Sequence, residues 1–317
     1  MSPRRVVIAG GSGFIGTALT KEFQARGYGV AVLTRSPRER ADGVREIEWD
    51  GLRQGGWFES LDGAEAVINL AGKNINCPHT PRNVRELTGS RVNSVRAVAA
   101  AISRVAQPPR VWAQAGAIGF YGDASDRWCD EAAPAGRGTL ANICRDWEAA
   151  FLGTAPPLAN GRQETGPAAT RRVLLRIGMV LGRGGGALPV LVRLTKWFLG
   201  GRAGSGRQFV SWVHLGDLAR MFVAAVERTD LSGVLNAVGP NPVTNAEFMR
   251  QLRRAVHRPW SPPVPEFAMR LGGRLIGAEP SLALISQRCA PKRLTEMGFE
   301  FQFPDVDSAL EDLCRMA

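Results

Sequence analysis

The sequence predicts an α/β protein, a doubly wound parallel sheet with a smaller C-terminal lobe. Three observations predict it. An apolar, strand-like run at residues 5–9 feeds directly into a glycine-rich turn and then a helical pattern. Further β-branched runs alternate with helical stretches along the first part of the chain. The 317 residues amount to about two domains' worth of chain.

The first strand, Arg5-Val6-Val7-Ile8-Ala9, is short and β-branched, as a buried parallel strand must be. Gly10-Gly11-Ser12-Gly13-Phe14-Ile15-Gly16 follows, and Ala18, Leu19 and Phe23 continue as a helix. Gly10, Gly13 and Gly16 stand three apart. In such a loop the first glycine permits a tight turn and the second lets backbone approach a pyrophosphate. The third packs helix on sheet. The helix start offers free N–H groups and a positive dipole end to phosphate. A glycine pattern alone marks no more than a turn. Set between strand and helix at position 10, it reads as a Rossmann dinucleotide loop, with Gly10, Ser12, Gly13, Phe14, Ile15 and Gly16 as cofactor contacts.

The second strand, Val30-Ala31-Val32-Leu33, ends in Thr34-Arg35-Ser36. An acidic residue here would accept hydrogen bonds from an adenosine ribose, the usual NAD signature. Arginine instead matches a 2′-phosphate in charge and in bidentate donor geometry. Thr34 and Arg35 therefore predict NADP(H) in preference to NAD(H); the competing reading is a solvated turn arginine.

Glu46–Asp50 forms a short third strand. Ala66-Val67-Ile68-Asn69 runs as a fourth strand into Leu70-Ala71-Gly72, a small-residue turn where a cofactor can lie against backbone. A helix from about Arg82 to Ala106 stops ahead of Pro108-Pro109. Val111–Ala115 and Arg172–Arg176 are the fifth and sixth strands, and the ligand belongs at the strands' carboxyl ends. The core is expected over residues 1–182, with 215–238 returning to it, and the smaller lobe over 183–317. Prolines and glycines between Leu152 and Arg171 mark a surface loop. Pro259–Pro265 reads as an extended connection.

Composition narrows the function. Hydrophobic residues at 44% and charged residues at 22% describe a folded chain. No apolar run is long enough to span a bilayer, and the N-terminus has no secretory pattern, so a cytoplasmic protein without a membrane partner is expected. Cys77, Cys129, Cys144, Cys289 and Cys314 are far apart, and His79, His214 and His257 are scattered, which predicts no metal site. Forty basic against 29 acidic residues give a net charge of +11. The arginines are spread along the chain without a basic tail, so a small phosphorylated ligand is expected rather than nucleic acid. Arg250, Arg253, Arg254 and Arg258 make a basic stripe with His257, read as a solvated face. Nothing in the sequence sets an oligomeric state.

These residues together resemble the extended, NAD-dependent epimerase/dehydratase branch of the short-chain dehydrogenase/reductases. Within it they are most similar to an epimerase-like subgroup with a C-terminal extension of unknown function. The likeness runs nearly end to end. It includes Gly10–Gly16, Asn69-Leu70-Ala71-Gly72, Phe120-Tyr121-Gly122-Asp123, Trp147-Glu148-Ala149-Ala150, Ser211-Trp212-Val213-His214 with Asp217, and the tail Pro291-Lys292-Arg293-Leu294. The resemblance implies an NADP(H)-dependent oxidoreductase or epimerase, working by hydride transfer on a small carbonyl- or hydroxyl-bearing substrate. The alternative is a cofactor-binding sensor without catalysis.

That superfamily uses a tyrosine acid/base, a lysine four residues on and a serine or threonine. Aligning Glu148 with the glutamate that usually follows the lysine puts Leu140 at the tyrosine position and Cys144 at the lysine position; Gly116 or Ala117 takes the hydroxyl's place. All three groups are missing. Tyr121 and Cys144 remain as substitute catalytic candidates, against a ring packed at the sheet edge and an inert buried thiol. By resemblance, Gln208, Ser211, Trp212 and His214 lie at the substrate mouth, although His214 also suits the start of a helix at 216–227. Lys73, where many relatives carry glutamate, suggests either a changed, anionic substrate or simply a variant branch. Arg91 is placed towards the nicotinamide, with a packed structural role as its rival, Ala115 is expected as a further cofactor contact, and Asp217 is expected to cap its helix.

Overall fold

The computed structural model describes residues 4–153, 170–269, 271 and 279–315. The surface loop expected between Leu152 and Arg171 lies, for residues 154–169, outside the described residues.

The chain opens with β1 (Arg5–Ala9), α1 (Phe14–Ala25), β2 (Gly29–Thr34), β3 (Arg45–Glu48) and β4 (Ala66–Asn69). Then come α2 (Pro81–Ile102), β5 (Val111–Ala117), the short β6 (Trp128–Cys129), α3 (Thr139–Gly153) and β7 (Arg171–Ile177). β8 (Met179–Leu181), α4 (Leu188–Lys196), β9 (Phe209–Val210), β10 (Trp212–His214), α5 (Leu215–Glu227) and β11 (Gly233–Ala237) follow. β12 (Val243–Thr244) and α6 (Asn245–Ala255) precede the last helices, Lys292–Glu296 and Val306–Cys314.

Seven strands make one parallel sheet in the order β11-β7-β5-β4-β1-β2-β3. Val6 pairs with Val30 on one side and Ala66 on the other, so the order reverses at β1 and opens a crevice at its carboxyl end. Residues 6–9, 30–33 and 66–68 are almost wholly buried, which is why they read as continuous apolar runs. The seventh strand, β11, extends the sheet beside β7, and α5 packs on α1.

Several element ends shift by one to four residues from the sequence reading, and two have a clear local reason. β3 stops at Glu48 because Asp50 Oδ1 accepts the N–H groups of Leu52 and Arg53 in a tight turn. α2 begins where Thr80 Oγ1 accepts the Asn83 N–H and Pro81 fills the first turn. It ends at Ile102, four residues early, because Asp62 Oδ1 takes the Gln107 N–H and the Gln107 carbonyl accepts from Gly63. A second core joins α4, α6 and the Val306–Cys314 helix through Leu188, Phe248, Leu252 and Leu310. Among the described residues no helix is long and apolar enough to cross a membrane.

Candidate functional site: a cleft over the glycine loop

The crevice at the end of β1 is a cleft of about 1250 Å³, walled by the glycine loop, the end of β2, the turn after β4 and one face of α2. Gly10 has φ +75°, a conformation suited to glycine, and its N–H donates to Leu33 O. A side chain there would crowd the Ala71 backbone at 3.1 Å, so loop and β4 turn touch backbone to backbone. Gly16 faces inward: a Cβ would lie 2.4 Å from Gly11 Cα. Gly13 is exposed, lines the cleft and is the N-cap of α1, which no side chain caps. Its surroundings leave room for a Cβ, the nearest atom being 3.5 Å away. The first N–H groups of α1 thus meet the open cleft, as a pyrophosphate site requires.

Ser12 and Thr34 share a 3.1 Å hydrogen bond across the loop, and both line the cleft with Leu70, Ala71 and Gly72. Ile15 packs into the main core, and the Phe14 ring lies over Gly182, Gly185 and Gly186, so these two side chains turn away from the cleft. Their place at the helix start still offers backbone N–H groups. Ala115 is buried within β5 and is not in the cleft wall.

At the end of β2, Arg35 is exposed, lines the cleft and has no ion pair among the described residues. Arg38 is the same in all three respects, although its backbone N–H donates to Glu46 Oε2. Arg40 differs: Asp42 and Glu46 bind its guanidinium, and the Asp42 hydrogen bonds hold its pKa above the usual value. The sequence reading missed Arg38, and also Trp49, Ser90 and Asn93 in the wall. Glu86, Gly89, Ser90 and Asn93 recur at helical spacing along one face of α2, a signal that could have found them.

Lys73 lines the cleft, but its ammonium is held by Glu86 Oε2 at 2.5 Å and Asn83 Oδ1 at 2.8 Å. Its charge is answered within the protein, which removes the reason to expect an anionic substrate from it. Arg91 lies behind Gly72, whose Cβ would sit 3.3 Å from Arg91 Cγ. One guanidinium nitrogen donates to Leu87 O, the group stacks 5.1 Å from the Trp147 ring, and no carboxylate pairs with it among the described residues. Burial lowers its pKa, opposed by the nearby Cys144 and Cys77.

The NAD dependent epimerase/dehydratase family model matches residues 6–141, and a domain of unknown function, DUF1731, matches residues 264–313. The human epimerase family protein SDR39U1 is 35% identical over 98% of this chain and 99% of its own. The Bacillus subtilis epimerase family protein YfhF is 32% identical over 97% of each chain. This chain belongs to the NAD-dependent epimerase/dehydratase family. A crystal structure of human SDR39U1 with NADPH superposes with a TM-score of 0.85 at 34% identity, covering 99% of this chain and 100% of that one. The Bordetella bronchiseptica enzyme WbmG, solved with NAD and UDP, shares the fold at a TM-score of 0.74 and 17% identity, over 98% of this chain and 94% of its own.

Leu140 and Cys144, the positions that the resemblance assigns to the family's tyrosine and lysine, carry no group that exchanges a proton near neutrality. A Cβ on Gly119, just after β5, would lie 3.2 Å from Cys144 Sγ and 3.6 Å from Leu140 Cβ. Leu140 and Cys144 therefore face the end of β5 together, one turn apart on α3. Burial pushes the Cys144 thiol up to about 12, so it is neither an acid nor a nucleophile near neutrality.

Tyr121 corrects the sequence expectation of a proton donor. Its side chain is fully buried, its hydroxyl donates to Asn236 Oδ1 at 2.7 Å, and Arg176 Nη1 donates to it at 2.8 Å. Burial raises its pKa well beyond the ordinary phenol range. It bridges β11 and β7.

None of the four residues expected at the substrate mouth lines this cleft. Gln208 Nε2 donates to the Ala203 and Ala283 carbonyls, and Ser211 Oγ donates to Gln287 O while accepting the Cys289 N–H. Trp212 is buried with its indole N–H on Asn241 O. His214 caps α5 through Nδ1, which accepts the Gly216 N–H, and its ring lies on Phe303. Asp217 caps nothing in its own helix; it accepts the N–H groups of Gln302 and Phe303 and ties the C-terminal extension to α5. Among the described residues no cluster of histidine, cysteine and carboxylate groups could hold a metal.

Proposed function

We propose that this protein binds NADP(H) in preference to NAD(H) and transfers hydride to or from a small carbonyl- or hydroxyl-bearing substrate, without a tyrosine acid. The observation that carries the cofactor choice is the pair Arg35 and Arg38, exposed and unpaired at the end of β2 where an NAD site would present a carboxylate. The human SDR39U1 structure with NADPH supports it.

Bound NADPH would supply the hydride. The chain's residues do the rest: Arg35 and Arg38 hold the 2′-phosphate, the N-terminus of α1 faces the pyrophosphate, and the Gly10 and Ala71 backbones form the floor. Arg91, packed behind Gly72 outside the cleft wall, is with Arg176 one of two cations acting on Cys144 among the described residues, and from there it can polarise a substrate oxygen at the Gly72 turn without giving up its proton. The reaction therefore draws its proton from solvent.

The Leu140 and Cys144 positions favour a second reading, a cofactor-bound sensor that does not turn over. Single-turnover reaction of protein loaded with 4-deuterated NADPH against aldehydes, ketones and nucleotide sugars separates the two. Deuterium in a product, formed equally by Tyr121→Phe, supports hydride transfer by this route. An unoxidised complex across the whole panel assigns the protein to the sensor reading.

A further inference from the structure

Away from the cleft, α4 ends in an exposed apolar cap. Leu194 and Val190 on the helix and Trp197, Phe198 and Leu199 after it are all exposed, Trp197 by 75%. Thr195 O accepts the Phe198 N–H and Leu194 O accepts the Leu199 N–H, a helix-ending motif that places Phe198 at φ +60°. Glycine is the ordinary residue in that conformation, and here a phenylalanine holds it half in solvent. The neighbouring strip carries Trp260, exposed by 64%. The two strips adjoin: Arg258 donates to Lys196 O and lies over the Phe198 ring, Arg253 donates to Gly200 O, and Val264 N donates to Arg202 O.

Basic charge predominates on this face, although Glu247 pairs with Arg250, Asp307 with Arg254 and Asp312 with Arg183 at its margins. Residues 183–216 contain five basic and no acidic residues, and residues 248–265 contain four basic and none acidic. Arg193 and Lys196, in the last turn of α4, make no ion pair among the described residues. Tryptophan and phenylalanine amid leucines, rimmed by arginine and lysine, form the pattern of a surface that seats in a lipid interface. A second copy docking through this face would set like charges against each other, and nucleic acid would leave the aliphatic Val190, Leu194 and Leu199 without apolar company.

We infer that the α4 cap, with Trp260, is a peripheral docking surface for an anionic lipid bilayer. The protein lies on that membrane and does not cross it. This departs from the sequence expectation of no membrane partner, which rested on the lack of a spanning run and of a secretory pattern. It is independent of the cleft and its chemistry.

The test is sedimentation of the full-length protein with phosphatidylcholine vesicles, with and without phosphatidylglycerol. Binding is expected only with the anionic lipid, falling as added salt shortens the Debye length. Arg193→Gln with Lys196→Gln, and separately Trp197→Ser with Trp260→Ser, should each weaken binding about tenfold. Brominated lipid should quench wild-type tryptophan fluorescence more than that of Trp197→Phe/Trp260→Phe, which keeps the apolar surface. Equal binding to neutral vesicles, or binding unchanged by all these substitutions, would overturn the proposal. So would self-association or RNA retention that is lost with Trp197→Ser while vesicles fail to bind.

Discussion

Arg176 grips Glu148 with two parallel hydrogen bonds of 2.9 and 2.8 Å, and both side chains are almost completely buried. The pair joins β7 to α3, and the same guanidinium donates to Tyr121 and stacks 3.6 Å from the Phe120 ring. Burial opposes the Arg176 charge, but Glu148's hydrogen bonds and charge outweigh it and raise its pKa. Tyr121 is thereby held within a buried structural network.

Removing either end of this network should cost stability and spare the cleft. Glu148→Gln leaves a buried guanidinium without its anion and should destabilise by about 3–5 kcal/mol in denaturant titrations. Tyr121→Phe strands Asn236 Oδ1 and one Arg176 donor, at about 1–3 kcal/mol. In both folded variants NADPH affinity should match the wild type. A selective loss of affinity in Tyr121→Phe would place the hydroxyl back in the site.

The glycine loop makes a paired prediction. Gly16→Ala forces a methyl against Gly11 Cα and should destabilise by about 1–3 kcal/mol, read as a lower Tm. Gly13→Ala has room within the protein but projects at the open cleft. It should fold normally and lose NADPH affinity, measured by calorimetry.

Cys144 predicts a pH dependence. Its folded pKa, about 12, stands above the ordinary thiol value of 9.0, chiefly through burial. A group raised in the folded state adds stability that is whole below the unfolded pKa and is lost as pH climbs towards the folded one. Stability should therefore fall between pH 9 and 12, and Cys144→Ala should remove one proton's worth of that slope. Alkylation of native Cys144 by iodoacetamide should be slow at neutral pH and accelerate on unfolding.

The nucleotide half of the molecule was legible because its signals are local. β1, the glycine loop and α1 are contiguous, and Thr34-Arg35 needs only the end of one strand. The roles of Tyr121, Gln208, Ser211 and Trp212 were not legible because their partners are remote in sequence. Tyr121 meets Arg176 and Asn236 from 55 and 115 residues away, and Gln208 meets Ala283 from 75. A polar residue among aromatics looks the same in sequence whether it meets a ligand or a distant carbonyl. Lys73 misled for a related reason, since Glu86 reaches it only once α2 is laid across the turn after β4.

Arg35 and Arg38 should choose the cofactor. Calorimetric titration of cofactor-stripped protein with NADPH and NADH, on wild type and Arg35→Ala, tests it most directly. NADPH should bind more tightly than NADH to the wild type. Arg35→Ala should weaken NADPH about tenfold or more and leave NADH unchanged. Equal affinities in the wild type, or a substitution that weakens both nucleotides alike, would contradict the account.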